Sequence, residues 1–187
     1  MKKLSTILLI YLLSLSFLHT PSLYGAPTDK VDTNLNAATY KLLKSQTPVA
    51  IDVDKEASFT PIKVYFDGKA IPLTSRPFTY KSRIYLPLRE VGEILGVEIG
   101  WDTPNKVAIV ETSTHRIEMP QGYRTAVSFQ KSTPKTADTV SIDQTSIKVR
   151  TILYTEKTYL PIRFTAEALG FHVKYEESSA SVYFTTP

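Results

Sequence analysis

From Ile62 the chain alternates cleanly. Ile62, Val64 and Phe66 interleave with Lys63 and Tyr65, the period of a strand with one buried face. Asp67-Gly68-Lys69 predicts a hairpin turn, and Ala70 to Leu73 the returning strand. Arg83 to Leu86 predicts a further short strand. After Pro87 the period changes to that of a helix. Leu88, Val91, Gly92 and Leu95 fall on one face, and Gly96 stands where a left-handed terminator belongs. Proline suits the first helical position, where its missing N–H is no loss. Val97, Ile99 and Trp101 then alternate as a strand, Asp102 to Asn105 predicts a turn, and Val107 and Ile109 a closing strand.

The same order returns later. "YLPLR", Tyr85 to Arg89, recurs as "YLPIR", Tyr159 to Arg163. At the same offset Glu93 meets Glu167, Leu95 meets Leu169 and Gly96 meets Gly170, while Val97, Ile99 and Trp101 meet Phe171, Val173 and Tyr175. Identity and alternation held together over such a window mark an internal repeat, spanning about 61–112 and 138–187. In the second copy Ile147 with Val149 and Lys157 to Leu160 predict strands, and Pro161 to Leu169 a helix closed by Gly170. Phe171 to Tyr175 predicts a strand, Glu176 to Ala180 a turn, and Val182 with Phe184 the last strand. Between the copies Thr114 to Met119 and Arg124 to Phe129 predict connecting strands, and Lys131 to Asp138 a loop. A helix of about nine residues is marginal alone. The expected architecture is therefore one α+β domain, 59–187. Its two strand–helix–strand repeats form an antiparallel sheet on two short helices packed face to face, with approximate two-fold symmetry.

Ahead of this, residues 26–58 form a polar lead-in. Leu35, Ala38 and Leu42 suggest a helix within Asp32 to Lys44, and "VAIDVD", Val49 to Asp54, alternates like a strand. Residues 1–25 have the layout of a secretory signal peptide. Met1-Lys2-Lys3 is basic, Leu4 to Leu18 is almost wholly apolar, and Gly25-Ala26 is a small-residue exit, with cleavage expected after Gly25. The apolar stretch is shorter than the roughly 20 residues of a membrane span. The chain has no cysteine, which excludes disulfides, thiolate metal sites and a lipidated cysteine after the leader. With 22 basic and 18 acidic residues the formal charge is +4, and it falls to +2 once Lys2 and Lys3 leave with the leader. No basic stripe of the kind nucleic acid requires interrupts the mixed charges. The expectation is a secreted or cell-wall-associated protein with no membrane span after leader removal.

"RIYLPLREVGEILGVEIGWD" and "KTYLPIRFTAEALGFHVKYE" resemble the copper amine oxidase N-terminal, or stalk, domain of exported Gram-positive bacterial proteins. The likeness covers roughly Ile62 to Phe184. It is weak from Pro120 to Ile152, and Tyr175-Glu176 stands where Trp-Asp is commoner. The resemblance implies an antiparallel sheet on helices, separate from the catalytic part of the oxidases, used as a cell-envelope module.

The residues themselves argue against copper chemistry. Behind the leader only His115 and His172 remain, without metal-ligand spacing, and no cofactor tyrosine motif is present. No cofactor or metal is expected. A small secreted cell-wall hydrolase using paired carboxylates is the alternative. It would draw on Glu90, Glu93, Glu98, Asp102, Glu167, Glu176 or Glu177. The favoured reading is a non-catalytic exported module that binds cell-wall polymer or another surface protein. Its candidate residues are of two kinds. Arg89 and Arg163, each four positions before Glu93 and Glu167, oppose the helix dipole. They are expected either to fork onto a neighbouring strand or to contact an anion, the strand contact being favoured. Among tyrosines that include Tyr80, Tyr123 and Tyr154, Tyr65 and Tyr183 lie out of phase with their strands' core residues and offer flat faces to sugars.

Overall fold

The computed structural model describes residues 31–141 and 150–186. The expected leader and the expected strand at Ile147 and Val149 lie outside the described residues. The fold is α+β, with short helices and mostly antiparallel strands. Helices α1 (Ala37–Ser45) and α2 (Val53–Glu56) precede β1 (Lys63–Phe66), β2 (Lys69–Ile71), β3 (Phe78–Tyr80) and β4 (Arg83–Pro87). Next come α3 (Leu88–Leu95), β5 (Glu98–Asp102), β6 (Val107–Glu111), β7 (His115–Pro120), β8 (Thr125–Gln130) and β9 (Asp138–Ser141). The chain ends with β10 (Ile152–Tyr154), β11 (Lys157–Pro161), α4 (Ile162–Ala168), β12 (His172–Glu176) and β13 (Ser181–Thr185).

The single antiparallel sheet expected from the pattern is in fact three sheets. Their orders are β12-β13-β1-β2, β10-β11-β4-β3 and β5-β6-β7-β8-β9. Among the described strands one ladder is parallel, β1 with β13, which joins the start of the first unit to the end of the second. At the centre β4 and β11 run antiparallel, with Leu86 opposite Leu160. Tyr85, Leu86, Tyr159 and Leu160 are all 2% exposed or less, so both faces of this pair are covered. The helices do not meet face to face as expected. Each packs across this pair, α3 on β11 and α4 on β4, because the facing strands offer the larger apolar surface. Pro87 and Pro161 cap the helices from just outside, at φ −61° and −69°, one position earlier than expected. Gly96 at φ 63° and Gly170 at φ 94° adopt the left-handed conformation expected of helix terminators.

The lead-in departs most from expectation. Asn36 caps α1 through its side chain, so the helix starts later than Asp32. Val49 to Asp54 is not a strand. Val49 donates its N–H to the Gly122 carbonyl without joining a ladder, and Val53 turns into the core as the first residue of α2. From Val31 onward the segment is packed rather than loose. Val31 and Leu35 cluster with Val107 and Ile109, and Leu42 with Tyr123 and Val127. Gly100 permits this approach, since a Cβ there would lie 2.9 Å from Val31. The other face of β6 sends Ala108 and Val110 into the main core. The segment is thus a strap over the outer face of the five-stranded sheet.

Arg116 on β7 fastens the strap. Its guanidinium donates to the carbonyls of Asp32 at 2.6 Å and Asn34 at 3.0 Å, and to Glu118 at 2.9 Å. Glu118 in turn accepts from the Asn36 N–H at 3.0 Å and the Thr39 hydroxyl at 2.5 Å. Arg116 and Glu118 are 5% and 0% exposed, a burial that only such complete bonding makes tolerable.

Candidate functional site

α3 stands on the rim of a cleft of about 650 Å³ between β5 and the β10–β11 hairpin. Its first turn carries Arg89 and Glu90, and the next turn Glu93. Trp101 on β5 is half-buried in the wall, and Leu153 on β10, 48% exposed, lines the cleft as well. Lys106 and Lys157 supply further cations. Glu90 is only 6% exposed and accepts the Thr74 N–H at 3.2 Å and the Thr74 hydroxyl at 2.9 Å. A carboxylate in the first turn of a helix also complements its dipole. Lys157 donates to the Ser75 hydroxyl at 2.7 Å.

Arg89 and Arg163 do not make the forked strand contact expected of them. Both side chains are exposed, and neither has a hydrogen bond or ion pair among the described residues. Glu93 and Glu167 are exposed as well and do not close the i,i+4 pairs. The physical reason lies in the joint. Tyr85 to Pro87 and Tyr159 to Pro161 are buried on both faces, so the first outward position of each helix is the arginine. Only Arg89, with Glu93, lines the cleft. The joints are tied instead by rings. Phe78 stacks on Tyr85 at 5.1 Å and lies 4.8 Å from Tyr159. Burial, and secondarily the Glu90 charge, pushes the Tyr159 hydroxyl up.

Tyr65 and Tyr183 are brought together. They are register partners across β1 and β13, half-buried, with ring centroids 4.8 Å apart and planes within 12°. The Tyr183 hydroxyl donates to Glu176 at 3.2 Å. Tyr80 and Tyr123 are buried, and the Tyr154 hydroxyl donates to Asp54.

Of the residues considered for metal or hydrolytic chemistry, Glu90 and Glu93 share the α3 cleft. His115 bonds its neighbour Thr114, and His172 lies exposed on β12. Among the described residues no group of three or more His, Cys, Asp or Glu has the geometry of a metal site. Asp102 accepts the Asn105 N–H of its turn. No helix among them is long and apolar enough to cross a membrane.

A family model described as the copper amine oxidase N-terminal domain matches residues 65–184. The chain belongs to that family. No curated protein and no solved structure matches it. The copper amine oxidase N-terminal domain is non-catalytic. The match begins at Tyr65, so the strap lies ahead of it while packing within the same fold. Sequence reasoning placed Trp101 in a strand but not in a site, and missed Lys106, Leu153 and Lys157. The one signal available was that Trp101 is the only tryptophan in the chain.

Proposed function

We propose that this protein is a non-catalytic, exported module of the Gram-positive cell envelope that binds cell-wall polymer through the α3 cleft. The proposal includes a leader, residues 1–25, removed on export. It also includes descent of the two halves from one strand–helix–strand unit, related by an approximate two-fold at the Leu86–Leu160 pairing. The observation that carries the binding reading is the cleft itself. A half-buried aromatic ring at Trp101 and an exposed guanidinium at Arg89 line the same open groove. Sites for polar polymers combine such flat apolar surface with a few convergent polar groups.

Retention of the mature protein on purified walls, with and without stripped teichoic acid, tests it. Arg89→Ala and Trp101→Ala should each weaken retention by roughly tenfold. Arg89→Ala should leave the denaturation midpoint in place, because its side chain supports no other group. Retention unchanged in both variants sinks the reading. Binding that survives on a co-purified surface protein but not on bare walls would replace polymer by protein as the ligand. Release of soluble fragments from peptidoglycan would instead favour a hydrolase.

A further inference from the structure

The outer face of the β12-β13-β1-β2 sheet carries one row of residues set by register: Lys174, Tyr183, Tyr65 and Ala70. The two rings in the middle stack at 4.8 Å, which is the spacing between strands. The stack is therefore a ladder with one ring per strand. On β2 the next rung is Ala70, which is exposed and reaches out only a methyl group. The side of Tyr65 turned toward β2 consequently has no ring against it from that strand. A cavity of about 610 Å³ opens there, lined by Tyr65, Ala70, Pro72 and Lys63.

We infer that this vacant rung is a saccharide subsite, in which a pyranose ring stacks on the uncovered side of Tyr65 above Ala70. The π-face of a tyrosine is electronegative and attracts the electropositive C–H face of a sugar. A sugar ring one strand spacing away continues the ladder without moving the backbone. Lys63, exposed two residues before Tyr65 on the same side of β1, stands at the rim to donate to a hydroxyl, amide or carboxylate substituent. On the other side the register partner of Tyr183 is Lys174, a long side chain where β2 offers only a methyl group. The two cavities adjoin at Thr74 and Ser75, but Tyr65 and Ala70 line only this one and Arg89 and Trp101 only the α3 cleft, so variants at those residues test them separately.

The probes are oligomers of N-acetylglucosamine and solubilised glycan strands, titrated into the full mature chain while the ring signals of Tyr65 and the methyl signal of Ala70 are followed by NMR. Both signals should shift on titration. Ala70→Tyr adds the missing ring on an exposed strand position that accepts it, so the fold should hold while affinity falls roughly tenfold or more. Tyr65→Ala should lose the same affinity, Tyr65→Phe should keep it, and Trp101→Ala should leave it unchanged. Equal glycan affinity in folded Ala70→Tyr, or shifts confined to Trp101 and its neighbours, overturns the subsite. Shifts produced only by an aromatic peptide, and not by glycan, overturn its assignment to sugar.

Discussion

Glu176 receives two hydrogen bonds, from the Ser179 hydroxyl at 2.8 Å and the Tyr183 hydroxyl at 3.2 Å. Both favour the charged form, and they hold its carboxyl below the ordinary value of 4.5, Ser179 being the larger cause. A depressed carboxylate pKa stabilises the fold above the ordinary value, and this contribution is lost as pH falls through the folded value. Tyr183→Phe removes one donor while keeping the ring that stacks on Tyr65. The Glu176 midpoint, read by side-chain NMR, should move up toward 4.5. The melting temperature should drop slightly at neutral pH and converge with wild type in acid. A midpoint that stays put would show that Tyr183 contributes nothing to the carboxylate. At this scale the sequence revealed much about type and little about partner. The alternation showed that Tyr65 and Tyr183 face away from the core. It did not show that they face each other, because a parallel pairing between residues this far apart leaves no local trace.

Turns explain which elements were legible. The β1–β2 hairpin was readable because Asp67-Gly68 is a sequence with a known preference for φ values of 45° and 78°. The β3–β4 and β10–β11 hairpins turn through Lys81-Ser82 and Thr155-Glu156, which take the same left-handed conformations without a glycine. β3 and β10 therefore escaped the reading, although they flank the repeated joints. The strap escaped for another reason. Its sequence is polar because α1 turns a polar face to solvent, while the backbone of Asp32, Asn34 and Asn36 just ahead of it satisfies a buried ion pair. Without the strap, Arg116 loses both its carbonyl partners, Glu118 keeps only Arg116, and Val107, Ile109 and Val127 are uncovered. Arg116→Met takes the buried cation from Glu118 and from Glu111, which keeps only Lys131 as an ion-pair partner, and should cost about 3 kcal/mol or more in denaturant unfolding. It should also speed amide exchange through α1. Slow exchange in α1 despite that loss would mean that apolar contacts alone hold the strap.

For the molecule as a whole, the recurrence of "YLPLR" as "YLPIR" raised the expectation of two like halves but did not say how they would interlock. β4 pairs with β11 and β1 with β13, so each half completes a sheet of the other. Likeness ends beyond the helices. The hairpin β5–β6 extends into β7 antiparallel, whereas β12–β13 joins β1 in parallel, and an offset between two sequences carries no information on such partners. Chains cut at Lys135 should give two fragments, neither of which melts cooperatively alone. A sharp thermal transition in the first fragment would show that its half is self-sufficient. The placement of β13 has a mechanical consequence. It is an inner strand, bonded on one side to β12 and on the other to β1. Those bonds lie across the strand rather than along it. A pull along the strand from Thr185 therefore loads both ladders in shear, so that they resist together instead of opening one bond at a time. The last strand described is thereby seated to resist a pull along its length.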